Sequence, residues 1–489
     1  MLFNSLSYAI FLPVVCVVYY LLPHRMRWAA LLAFSLYFFM SWNPRLILLI
    51  LFTTLVSWSG ALALGHLRRR RARQAVVVAG SALCLAVLFF FKYYDLAADS
   101  LQGLFGLLGI PLAPPTLSLL LPVGISFYTF QTLSYLIDVW RGDLAPERHL
   151  GYYALYVSFF PRLVAGPIER AGNLLPQFRQ PHQFSTAGCT RGLQQIGVGL
   201  FKKVVIADTL TDFVDAVYNN LPGKTGLTLI LATVLFGVQI YCDFSGYSDI
   251  AVGSARILGF SLMENFDAPY LCCSVRGFWR RWHISLTSWF TDYVYIPLGG
   301  SRCSRLRHLR NLMITFLLSG LWHGANWTFV CWGCWHGLFL CFETFWGRRA
   351  DALAARLGRS PGGLLFAAAR WVYTVGAVMA GWIFFRANSL ADAAYIFANL
   401  LRGLNPLRLV TYAAPAGMEP ADLLLVAGLI ALLAIWDGLS RFGGNSFSVL
   451  CRARPAVRYL FYWALGSSIL LTLLLRPFGA AADFIYFQF

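Results

Sequence analysis

Charge is scarce in this chain: 12% of its 489 residues are Asp, Glu, Lys or Arg, about half the share of an ordinary soluble domain. A water-soluble globule is excluded. Glycine shows no three-residue period, which excludes collagen, and an aromatic content of 16% excludes a disordered polar chain. Eleven cysteines spread over the chain exclude a small disulfide scaffold, and free buried thiols are expected. No segment repeats with the period of a solenoid or propeller. Apolar residues dominate at 58%, so the chain reads as an all-α integral membrane protein, a multi-spanning helical bundle.

The formal net charge is +18, from 39 basic and 21 acidic residues. In a soluble protein that surplus points to nucleic acid. Here it sits in short blocks between apolar runs, so no nucleic-acid partner is expected. The blocks are His24-Arg25-Met26-Arg27, Arg68 to Arg71 with Arg73, Lys202-Lys203, and the group Arg302, Arg305, Arg307 and Arg310. They read as cytoplasmic topology signals. Residues 1–23 carry no Lys or Arg and precede a basic block, the reverse of a secretory signal, so the first helix is expected to be retained with its N-terminus extracytoplasmic.

Apolar runs lie near 3–22, 28–42, 46–64, 75–91, 118–140, 151–166, 193–218, 226–260, 313–345, 366–386, 421–437 and 457–476, predicting about 10 to 12 transmembrane or re-entrant helices. Gly320, Gly324 and Gly333 are expected breaks in the long 313–345 run. Residues 161–184 and 266–300 are too polar to span. The second stretch holds Arg276, Trp279, Arg280, Arg281, Trp282, His283, Trp289 and Tyr293, the mixture found in interfacial helices that touch membrane lipid headgroups. No long polar linker interrupts the pattern, so 1–489 reads as a single polytopic domain, with 346–489 as C-terminal peripheral helices.

Soluble catalytic signatures are missing. Pro222-Gly223-Lys224-Thr225 resembles the end of a phosphate loop, but Tyr218 occupies the position of its first glycine. There is no Gly-x-Ser-x-Gly elbow, and no His is followed five positions later by Asp. Cys331, Cys334 and His336 have a metal-like spacing, yet His336 falls roughly 140° around a helix from Cys331, so no metal is expected.

Ionisable residues inside apolar runs each cost about 2.5–3.5 kcal/mol at a helix centre. The run from Val238 to Asp249 carries Asp243, Ser245, Ser248 and Asp249 with two tyrosines. Asp243 reads either as an ion-pair partner for an arginine or as a functional group with Ser245 in support, and Asp138, Asp208 and Glu343 are similarly placed. His283, His323 and His336 lie in apolar settings. His283 and His323 stand forty residues apart with an Arg-rich loop between them, a spacing that allows both imidazoles to reach one cavity. Gly324 removes bulk beside His323, which suits close approach of a substrate. A proton-coupled transporter or flippase using the same buried groups stays open at this point.

Six stretches carry a resemblance: Pro122–Gln131, Ala165–Arg170, Tyr241–Asp249, Phe278–Leu286, Tyr295–Gly300 and Leu321–Gly324. In this order they resemble the membrane-bound O-acyltransferase (MBOAT) family. Trp382–Ala387 and the terminal Phe484–Phe489 are similar to its branch of bacterial exopolysaccharide O-acetylation proteins.

The resemblance implies a catalytic core at 120–345 and a central channel through the bundle, with His323 near its narrowest part. It implies transfer of an acetyl group from a cytoplasmic thioester, acetyl-CoA or another acyl thioester, with no bound cofactor. The partner would be a periplasmic acetyl acceptor or acetyltransferase, the exported polysaccharide, such as alginate, being reached indirectly. D-alanyl transfer to teichoic acid is the family alternative. By motif, His323 corresponds to the family's near-invariant histidine and His283 to its second polar position. Arg280 and Arg281 are assigned to the donor, and the bacterial inner membrane is the expected location.

Overall fold

The computed structural model describes residues 1–111, 114–117, 119, 122, 124–164, 166–356, 363–405, 418–444, 446–475 and 484–485, and of 348–356 the backbone alone. Among them no strand occurs. In a bilayer a helix satisfies its own backbone, which an isolated strand does not. Among the described residues six helices are long and apolar enough to cross a membrane: Pro44–His66, Arg70–Lys92, Gly226–Ile257, Leu364–Arg386, Pro420–Phe442 and Pro455–Leu475. The shortest has 21 residues, or about 31 Å at 1.5 Å per residue. Pro455–Leu475 buries none of its residues against protein, as a lipid-facing helix requires.

The chain forms two compact units, residues 1–196 with 247–263, and residues 197–246 with 264–489. In the first, Tyr8 donates to Ser254 (2.8 Å) and Ser57 bonds Tyr153 (2.7 Å). Glu169 accepts from the Met263 amide and from Asn173. These bonds fasten the Ala165–Arg170 motif, of which Ala165 lies outside the described residues, as does Val123 of the Pro122–Gln131 motif.

Three predicted runs differ from what forms. The 151–166 run is cut after Leu150–Ser158, because Pro161 has no N–H for the helix ladder. The 193–218 run becomes Thr186–Leu200, a π-helical turn at Phe201–Ala207, and Asp208–Tyr218. That turn buries Lys202 and Lys203, which corrects the reading of this pair as a cytoplasmic signal. The reason is local: Lys203 meets two carboxylates inside the fold.

The 313–345 run is a hairpin of two helices, Arg305–His323 and Trp327–Arg356. Only Gly324 breaks it; Gly320 and Gly333 sit inside the helices. A Cβ on Gly320 would collide with the Phe329 carbonyl, and one on Gly333 with the Phe316 carbonyl. These glycines let two backbones touch. The thiols are all free, but only Cys84, Cys242 and Cys272 are buried, the others being half-covered or exposed.

Because the hairpin contact is backbone against backbone, Gly333→Val is expected to destabilise the second unit by about 1–3 kcal/mol. The check is the thermal midpoint of the purified full chain, which should fall while Ala434→Val, on a different helix, leaves it unchanged.

Candidate active site

The Arg305–His323 helix ends on His323, and Gly324 leaves it in an extended conformation. Asn326 starts the return helix by accepting the Thr328 amide on Oδ1 (3.0 Å). His323 is 3% exposed, with its ring edge-on to Trp332 (centroids 4.8 Å) and Phe385 (5.3 Å). Any Cβ on Gly324 would run into the Phe329 ring. The space beside His323 on that side is therefore filled by Phe329, not left open for substrate as the sequence suggested.

His283 begins the Ile284–Phe290 helix in a left-handed conformation, φ +46°, which a non-glycine residue seldom adopts. Asn265 braces it: its carbonyl accepts the Ile284 amide (2.9 Å) and its Oδ1 the Ser285 amide (3.2 Å). The imidazole is buried edge-on to Phe244 (4.6 Å). The indole of Trp322 contacts both histidines, 5.9 Å from His283 and 5.0 Å from His323. The two predicted histidines thus meet one aromatic ring. Outside the six candidate spans, burial pushes the His283 imidazole down to about 3, so it stays neutral near pH 7.

His336, the third histidine, is fully buried and accepts from Trp279 Nε1 (3.3 Å). Its ring shares Trp332 with His323, at 5.1 Å and 4.8 Å. Among the described residues no group of His, Cys, Asp and Glu is arranged to hold a metal.

Asp243 lies 2.5 Å from Lys203 Nζ, and Asp208 lies 2.9 Å from the same nitrogen. The other Asp243 oxygen accepts the Ile485 amide (2.8 Å). The ion-pair partner is a lysine rather than an arginine. Asp243 is next to Phe244, which packs on both His283 and Phe484. Ser245 is buried on the same helix and its hydroxyl has no partner among the described residues. Of the terminal motif only Phe484 and Ile485 are described.

Arg280 is exposed, whereas Arg281 Nε lies 3.5 Å from Asp267 and Nη1 3.4 Å from Cys272 Sγ. Glu343 accepts the Val275 and Arg276 amides (2.6 and 3.0 Å), capping the turn that leads to His283. Arg276 bonds Thr344, and Arg305 lies over the Phe345 ring. Arg276 and Arg305 therefore lie at the end of the hairpin opposite His323.

Sequence reasoning missed Asn265, Trp332 and Phe385. The signal for Lys203 was present, a cation followed by an apolar run. Phe385 lies in the Trp382–Ala387 stretch that carried the resemblance, but its contact with His323 was not legible, because the ring comes from a helix about sixty residues further along the chain. The arrangement has the parts for proton transfer in a dry site: one neutral imidazole and a second against the same indole, both shielded by aromatic rings.

Two outcomes follow. Lys203→Met leaves Asp208 and Asp243 without their cation and is expected to cost about 3–5 kcal/mol. Adding Asp243→Asn should recover part of that in the thermal midpoint. For His283, the unfolded imidazole binds protons below about pH 6.5 while the folded one stays neutral to about 3. Stability is therefore lost as pH falls through that window, by up to ~1.4 kcal/mol per pH unit. A pH series of melting midpoints should be flatter for His283→Gln.

The family profile of membrane-bound O-acyltransferases matches residues 146–385. The chain is 39% identical to the probable alginate O-acetylase AlgI of Azotobacter vinelandii, over 87% of this chain and 83% of that protein. It is 41% identical to the probable alginate O-acetylase AlgI of Pseudomonas aeruginosa, over 78% and 71%. It is 32% identical to the peptidoglycan O-acetyltransferase of Helicobacter pylori, over 76% and 73%. With both histidines buried against one tryptophan in an all-α multi-spanning fold, this chain belongs to the membrane-bound O-acyltransferase family and is an O-acyltransferase.

Proposed function

We propose that the protein takes an acetyl group from acetyl-CoA at the cytoplasmic face and delivers it across the bacterial inner membrane for O-acetylation of an exported polysaccharide such as alginate. The observation that carries this reading is the pair His283 and His323 on the ring of Trp322. The similarity to proteins named as alginate O-acetylases and a peptidoglycan O-acetyltransferase supports the acceptor class.

The basic end of the hairpin supports the orientation. From Arg305 to His323 the helix has 19 residues, about 28 Å, close to the thickness of the hydrocarbon core. With the arginines cytoplasmic, His323 is nearer the far side. The donor thioester enters from the cytoplasmic side, and Arg280 and Arg281 contact the phosphates of CoA. Asp267 competes for Arg281, so Arg280 is the freer of the two. A channel through the bundle joins the two ends, and the N-terminus is extracytoplasmic.

His323 acts as general base on the acceptor hydroxyl. The hydroxyl oxygen attacks the acetyl carbonyl, and the carbon–sulfur bond breaks. The leaving thiolate recovers the proton from the imidazolium, a relay that accelerates acyl transfer by about 10²–10⁴-fold. His283 orients the acceptor from the other side of Trp322. A periplasmic protein receives the acetyl group or hands it to the polymer. Asp243 and Ser245 act indirectly, by holding Phe244 against His283.

The test is the O-acetyl content of exported polymer from a deletion strain carrying wild-type or His323→Ala protein at equal membrane levels. Restoration by wild type and at least ~100-fold less by the mutant is expected. Full acetylation with His323→Ala would remove the base assignment. No rescue by wild type would mean a different acyl group or acceptor.

A further inference from the structure

Asn265 carries one feature that bracing His283 does not use. Its Oδ1 accepts the Ser285 amide at 3.2 Å. An atom facing a backbone N–H has to be the amide oxygen, so the orientation of the group is fixed and Nδ2 points the other way. The residue is 1% exposed, and Nδ2 has no hydrogen-bond partner among the described residues. Buried donors are almost always satisfied. This one is left open on the residue that holds His283 in its left-handed conformation.

A rigid, dry N–H donor of fixed direction has the properties that stabilise a developing oxyanion. The surroundings offer little competition, because the neighbouring Phe266 ring packs on Phe244 (5.1 Å) and Trp282 (5.1 Å). Aromatic walls exclude water and give the donor more weight than it would have in solvent.

We propose that Asn265 is a further catalytic residue, whose Nδ2–H donates to the acyl carbonyl oxygen during transfer. As the acceptor oxygen bonds to the carbonyl carbon, the π pair moves onto the carbonyl oxygen, and Nδ2 hydrogen-bonds that anion while keeping its proton. When the pair returns, the carbon–sulfur bond breaks and sulfur leaves with the bonding electrons. The thiolate takes up the proton that the acceptor hydroxyl gave to His323. This rests on the thioester reading above.

Asn265→Asp separates the two ends of the amide. It keeps an oxygen for the Ser285 N–H and replaces the donor with an acceptor. The assay uses inverted membrane vesicles from the native host, supplied with radiolabelled acetyl-CoA, and scores alkali-labile label per folded molecule of full-length protein. Wild type, Asn265→Asp, Asn265→Ala and His323→Ala are compared. The expected result is a loss of at least ~100-fold for Asn265→Asp at alkaline pH, where the carboxyl is ionised, with a folded protein whose melting midpoint falls as that buried charge forms. Its activity should rise as pH falls, since a protonated carboxyl regains a donor; wild type should show no such rise.

Activity of Asn265→Asp within threefold of wild type at alkaline pH, or of Asn265→Ala within threefold at any pH, would overturn the proposal and leave a clamp alone. So would failure of both Asn265 variants to insert in folded form, which would make the amide a requirement of the fold. If wild type incorporates no label, or His323→Ala matches it, the thioester reading itself fails and this assignment falls with it.

Discussion

A side chain on Gly320 or Gly333 would occupy the space of a carbonyl on the opposite helix of the hairpin, and the surroundings of His323 depend on that contact. Because the two backbones touch, Trp332 on the return helix reaches His323 while also packing on His336, one turn further along its own helix. The same closeness brings Phe329 into the slot left by Gly324. Phe385, from Leu364–Arg386, then closes over both His323 and Phe329. In a membrane this packing has to come from shape, since lipid tails are as apolar as the side chains they replace.

Charge obeys a matching constraint. Lys203 faces Asp208 and Asp243 inside the second unit, Arg386 pairs with Asp215, and Tyr241 donates to Asp437. Removing one member of such a set leaves the remainder charged in a medium that does not solvate it. The Lys203 set also serves the site at one remove: Asp243 accepts the Ile485 amide, while its neighbour Phe244 packs on His283. A buried cation, a chain-terminal segment and a strained histidine are therefore linked through two adjacent residues of one helix.

Much of this was legible in the chain. Hydropathy located the membrane helices, because lipid demands long apolar stretches whatever the fold. His283 and His323 stood out as polar groups in apolar surroundings, and the structure sets both against Trp322. Lys202-Lys203 misled, since a basic pair near an apolar run has the same local appearance on a cytoplasmic loop and in a buried ion pair. Gly320 and Gly333 misled in a related way: glycine marks a helix break or a helix crossing, and only a partner helix distinguishes them. Asn265 gave no signal, because its function of bracing residue 283 depends on chain reversal across seventeen intervening positions.

By itself, then, the amino-acid order determined the helical class, most of the spans, and which polar residues had to find partners, since these follow from transfer energies and periodicities that act along the chain. Tertiary structure decided the pairings: Lys203 with Asp208 and Asp243, Asn265 with the amides after His283, and Phe385 with His323. Those contacts join residues distant in sequence, and their energies exist only after separate helices have packed.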